Sequence, residues 1–119
     1  MKKVLIIDDN ENILEVLKEL LECKGFDVAT MNRGNEVVEV VQYSKPDVVV
    51  MDISMGKANG YEIYTALKQN LHTCRTPVLL MSSEDLNESV TLMHLKIEEV
   101  INKPFDLEGL MVKLKNLAA

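Results

Sequence analysis

The chain has 119 residues, 47% of them apolar, and a formal net charge of −6. That length suits one domain, residues 1–119, and the apolar share supports a real core and excludes a disordered chain. No apolar run approaches the roughly 18 to 20 residues of a membrane helix, and the 13 Lys and Arg residues form no basic stripe beside aromatic residues, which argues against direct nucleic-acid binding by this segment.

The opening Met1-Lys2-Lys3 resembles the charged start of a signal peptide, but only four apolar residues follow before Asp8 and Asp9. A buried first strand, Lys3 to Ile7, is the better reading. Cys23 and Cys74 have neither C-x-x-C nor metal-ligand spacing, which suits a reducing cytoplasm. Asp9 or Asn10 can cap a first helix, with Glu11 in its favourable first turn. Ile13, Leu14, Leu17, Leu20 and Leu21 recur at helical spacing on one face. Lys24-Gly25 ends that helix, and Phe26 to Thr30 is a short second strand. After a turn over Asn32 to Asn35, four valines alternate with Glu36, Glu39 and Gln42. The β-branched residues argue for a strand, whereas the polar period argues for a helix that Pro46 stops; the spacing favours the helix.

Val48 to Asp52 is an unbroken apolar run closed by a carboxylate, the pattern of a strand buried on both faces. A third helix runs from Gly60 to Asn70, with Ile63, Ala66, Leu67 and Leu71 expected inward. Val78 to Met81 is the fourth strand. A fourth helix covers Glu84 to Leu95, and Glu98 to Ile101 is a short fifth strand. Asp106 caps a last helix, with Phe105 and Leu110 placed as a hydrophobic staple. Leu107, Leu110, Met111, Leu114 and Leu117 face the core. Strict strand–helix alternation predicts an α/β fold with a parallel sheet covered on both faces; nothing remains for a second domain.

In such a sheet the strand ends converge, and chemistry gathers at the carboxyl edge. Asp8, Asp9, Asp52, Ser82 and Lys103 all fall there. Each alone has an ordinary reading: a cap, a solvated strand end or a surface lysine. Together they form a site, because three close carboxylates repel. At about 5 Å and an effective dielectric near 20, each pair costs roughly 3 kcal/mol as an upper figure. Lys103 supplies one compensating charge, and Mg²⁺ or Mn²⁺, which favour oxygen ligands, would supply the rest. A carboxylate nucleophile, a hydroxyl, a lysine and a divalent cation suit phosphoryl transfer. His72 and His94 are isolated, and Tyr61 and Tyr64 read as packing with a polar tip.

The acidic pair in VLIIDDNE, the strand end in PDVVVMDISM, Ser82 in PVLLMSS and Lys103 in INKPFD, taken in this order, resemble the receiver domain of two-component response regulators. The resemblance covers essentially the whole chain. It implies a flavodoxin-like three-layer (β/α)5 fold, a doubly wound five-stranded parallel sheet in the order 2-1-3-4-5. It implies that Asp52 accepts a phosphoryl group from a histidine kinase or histidine phosphotransfer protein. Asp9 would bind Mg²⁺ directly, Asp8 mainly through water, and Asp52 and the Ser54 backbone carbonyl would complete the protein ligands. Ser82 and Lys103 would follow the phosphoryl oxygens, altering the surface shown to an output domain or downstream protein. Self-catalysed transfer and dephosphorylation would set this chain apart from a conventional metabolic enzyme. The implied setting is cytoplasmic, and homodimerisation is common in the family.

Several residues depart from the family pattern. Val100 stands where an aromatic switch residue is usual, Gly56 where Pro is usual, and Ser83 where Ala or Gly is usual. Lys96-Ile97 replaces a Gly-Ala pair, and Ser54 and Glu84 occupy variable positions that tune dephosphorylation. These departures keep a second reading open, a receiver-like interaction module without regulated phosphorylation. A Mg²⁺-dependent phosphohydrolase is the weaker third: Ser54 stands where such enzymes often carry a second acid, and no cap domain is evident. The Asp-Asp-Asn-Glu-Asn turn lacks the glycines of a dinucleotide cradle.

Overall fold

The computed structural model describes residues 1–55, 58–82, 100–102 and 106–119, with 54–55 and 58–59 described at the backbone. The expected helix over Glu84 to Leu95, together with Gly56, Ser83, Lys96, Ile97, Lys103 and Phe105, lies outside the described residues.

The elements run β1 (Lys3–Ile7), α1 (Glu11–Cys23), β2 (Asp27–Met31), α2 (Val37–Ser44), β3 (Val48–Asp52), β4 (Ser54–Met55), β5 (Ala58–Asn59), α3 (Gly60–Gln69), β6 (Val78–Ser82), β7 (Val100–Asn102) and α4 (Leu107–Leu117). Five strands form one sheet in the order β2-β1-β3-β6-β7, and every pairing is parallel. Counting those strands alone, the order is 2-1-3-4-5. This is the doubly wound arrangement expected from the sequence.

Strand alternation explains the two apolar layers. Val4, Ile6, Val48, Val50, Leu79 and Met81 pack with Leu14, Leu17 and Leu21 of α1 and Leu110 and Leu114 of α4. The intervening residues Leu5, Ile7, Val49, Met51, Val78 and Leu80 pack with Val37 and Val41 of α2 and Leu67 of α3. Both faces of the central strands are covered, which is why their sequences read as continuous apolar runs.

Local chemistry sets the helix ends. Asn10 is the N-cap of α1, its side chain accepting from the N–H groups of Asn12 and Ile13 at 3.0 and 3.3 Å. Gly25, at φ +93°, turns the chain from α1 toward β2, a conformation glycine adopts without steric cost. Asp106 caps α4 by accepting from the Gly109 N–H at 2.7 Å. The valine-rich segment is a helix because Val37 and Val41, four residues apart, both enter the core; that burial outweighs its β-propensity. Lys45 closes α2 in the left-handed region, at φ 49°.

Three expectations are corrected. Leu20 lies at the margin of the α1 stripe and is exposed, while Ala66 lies off the buried stripe of α3. Leu71 is 91% exposed. Helix α3 ends at Gln69, and Asn70 begins a turn in which its side chain accepts from the His72 N–H at 2.8 Å. Thr73 goes inward instead, its hydroxyl donating to the Leu67 carbonyl at 2.6 Å. The short antiparallel pair β4–β5 was not anticipated; a Gly-containing two-residue spacer was its available cue.

The contrast between two leucines tests this packing. Leu67→Ala removes a fully buried side chain and is expected to cost about 2 to 5 kcal/mol in urea unfolding. Leu71→Ala is expected to change stability by no more than about 0.5 kcal/mol in the same assay.

Candidate acidic site at the carboxyl edge of the sheet

The parallel registers deliver the acids to one edge. Ile7 pairs with Met51, so Asp8 and Asp52 are the next residues along neighbouring strands. Asp52 pairs in turn with Met81, and Ser82 follows it as the last residue of β6. Ser82 pairs with Asn102, which ends β7 and precedes Lys103 in the chain.

Asp8, Asp9 and Asp52 each present a carboxylate oxygen, and these oxygens lie within 4.8 Å of one another. Asp8 is buried at 1% exposure, Asp52 is 9% exposed and Asp9 is exposed. Asp9 therefore forms the open side of the cluster. Ser82, 5% exposed, is buried at the end of the adjacent strand.

The turn after β1 is held by its own polar groups. The Asp8 N–H donates to the Met31 carbonyl at 3.1 Å, extending the β1–β2 ladder by one bond. The Asp8 carboxylate accepts from the Asn10 N–H at 2.9 Å. Asn10 then caps α1, so strand end, acidic pair and helix start form one continuous hydrogen-bonded turn.

The Asp52 end is held differently. The Ile53 N–H donates to the Met81 carbonyl at 2.9 Å, and the Gly60 N–H donates to the Ile53 carbonyl at 2.7 Å. A Cβ at Gly60 would strike the Asp52 carbonyl oxygen and lie 2.8 Å from the Ile53 Cα. Gly60 lets α3 begin directly against the strand end that carries Asp52. The sequence offered this only as a helix start. Ser54 opens β4 two residues beyond Asp52, its backbone paired with Asn59.

The donor set fits a hard divalent cation. Three carboxylates offer oxygen ligands alone, the chemistry of Mg²⁺ or Mn²⁺ and not of zinc. Their mutual repulsion, about 3 kcal/mol at most for a buried pair at this spacing, is relieved by such an ion. Of the residues expected at the site, the structure brings Asp8, Asp9 and Asp52 together and places Ser82 on the same edge. Lys103 lies outside the described residues.

The pattern of the response regulator receiver domain matches residues 4–115. The chain belongs to that family, the receivers of two-component systems. It is 30% identical over 115 residues to the alkaline phosphatase synthesis transcriptional regulatory protein PhoP of Bacillus subtilis, covering 96% of this chain and 47% of that protein. It is also 30% identical over 116 residues to the transcriptional regulatory protein CpxR of Escherichia coli, covering 97% of this chain and 48% of CpxR. The chain thus spans about half the length of the curated relatives it matches.

Among solved structures, a response regulator receiver domain protein from Clostridium thermocellum superposes with a TM-score of 0.86 at 28% identity, covering 99% of this chain and 94% of that one. The chemotaxis protein CheY4 of Vibrio cholerae gives 0.85 at 27% identity, covering 98% of each chain.

The close approach at Gly60 generates a prediction. Gly60→Ala is expected to destabilise the fold by about 1 to 3 kcal/mol, as overpacking against backbone does, and to shift the backbone amide resonances of Asp52 and Ile53. Urea unfolding and amide chemical shifts provide the check.

Proposed function

We propose that residues 1–119 act as a single receiver unit in which Asp52 is the phosphoacceptor. The observation that carries this reading is the gathering of three carboxylates within 4.8 Å at the carboxyl edge of the sheet, with Asp52 on a central strand. The donor is a phosphohistidine on a histidine kinase or histidine phosphotransfer protein, and the setting is the cytoplasm. A carboxylate oxygen of Asp52 attacks phosphorus as the P–N bond to the donor imidazole breaks. The bonding electrons remain on the imidazole nitrogen, and Asp52 becomes an acyl phosphate. Water later attacks phosphorus, releasing phosphate and restoring the carboxylate.

Asp8, Asp9, Asp52 and the backbone carbonyl of Ser54 would hold Mg²⁺. When bound, the ion supplies positive charge beside the transferring oxygens. The chain's own residues do the rest. Asp9 occupies the exposed side of the cluster, while the turn through Asn10 orients Asp8. The hydroxyl of Ser82 donates to a phosphoryl oxygen, and Lys103, next in the chain after Asn102, pairs with another. The β6 and β7 ends carry Ser82 and Asn102 as a backbone pair. A pull on Ser82 is thereby communicated to the neighbouring strand end, and an output domain or downstream protein reads the altered surface.

Val100 is 1% exposed and pairs with Leu80 inside the sheet. An aromatic ring swinging at this position has no counterpart here, so the response runs through Ser82 and the strand ends. The interaction-module reading draws on the same residue. It requires equal partner affinity with and without a phosphoryl mimic such as beryllofluoride, whereas the switch reading requires unequal affinity.

With Mg²⁺ and a small phosphodonor such as acetyl phosphate, mass spectrometry is expected to show addition of one phosphoryl group. Asp52→Asn or chelation of the metal should abolish that addition. Uptake persisting in the Asp52→Asn protein would contradict the assignment of the acceptor.

A further inference from the structure

The end of β2 touches the acidic turn at two successive residues. Met31 accepts the Asp8 N–H at 3.1 Å. The side-chain amide of Asn32 donates to the Glu11 carboxylate at 2.9 Å, across 21 residues of sequence. These contacts bracket Asp9: one fixes the residue before it, and the other fixes the first residue of α1 after the Asn10 cap. Asp9 is the exposed member of the triad. Its placement follows the backbone of residues 8–11, and so follows both clamps.

We infer that Asn32 is a positioning residue for the metal-binding turn, holding Glu11 so that the turn presents Asp9 toward Asp8 and Asp52. This inference rests on the reading of the triad as a divalent-cation site. Glu11 and Asn32 line a groove of about 630 Å³ together with Lys18 and Arg33. Loss of the amide removes the 2.9 Å tie between Glu11 and the chain just past β2. The neutral amide is suited to this task. It donates to a carboxylate oxygen without adding a charge of its own. Outer residues that orient metal ligands commonly set affinity in this way. Here the bond is exposed, so its influence is smaller than that of a buried partner.

The test is isothermal titration of Mg²⁺ into the unmodified chain and into Asn32→Ala, Glu11→Ala, the double variant and Asp9→Asn, with thermal melting of each. Asn32→Ala is expected to weaken Mg²⁺ binding roughly two- to tenfold, the worth of one solvent-competed hydrogen bond, with little change in melting temperature without metal. In the Glu11→Ala background, Asn32→Ala is expected to have no further effect on affinity, because the partner is already gone. Unchanged affinity in Asn32→Ala would overturn the inference, as would an equal loss in both backgrounds. If the unmodified chain binds no Mg²⁺, or Asp9→Asn binds as well as it does, the cation-site reading itself fails and this inference falls with it. That outcome is distinct from binding that is intact and indifferent to Asn32.

Discussion

The structure turns on like charges held together against their repulsion. Asp8 and Asp52 end neighbouring parallel strands, so the β1–β3 register that buries Ile7 and Met51 also forces two carboxylates side by side. Asp9 adds a third within 4.8 Å. The apolar layers on both sheet faces hold the strands in that register. Slipping β1 by one residue would separate the acids, but it would also exchange every core contact of β1 between the two faces. The core therefore imposes the acidic cluster, whose oxygen donors fit a hard divalent cation.

Much of this was legible in the sequence because both signals are local. Continuous apolar runs marked β1, β3 and β6, and the acids and serine at their ends marked the edge. The four described helices were readable from their spacing, including α2, where the recurrence of Glu36, Glu39 and Gln42 prevailed over four valines. Leu71 was misplaced because helical periodicity was carried past the true helix end, where the Asn70 turn and the buried Thr73 take over. Contacts that bring distant segments together left no pattern to read. The Asn32–Glu11 bond spans 21 residues, and the close approach of Gly60 to the Asp52 backbone depends on how α3 meets β3.

Family membership and fold place the site at the edge where doubly wound sheets bind their ligands. Individual residues give it character. Gly60 brings a helix start against the β3 end that carries Asp52, and Asn10 and Asn32 tie the acidic turn to α1 and β2. Val100 fills the interior where the resemblance leads one to expect a ring. In the proposed switch, this shifts the work of transmission onto backbone-paired strand ends. The curated relatives are about twice as long as this chain, and the segment it matches accounts for about half of each.

The central claim, that the triad is a cation site by virtue of its crowded charges, is tested most directly by melting the chain at rising Mg²⁺ under constant ionic strength. A ligand that binds only the folded state stabilises it by about 2.7 kcal/mol at a hundred times its dissociation constant. The account predicts that the melting temperature climbs steadily with the logarithm of Mg²⁺ concentration, and that Asp9→Asn flattens the climb. Identical melting in Mg²⁺ and in NaCl of equal ionic strength would contradict it.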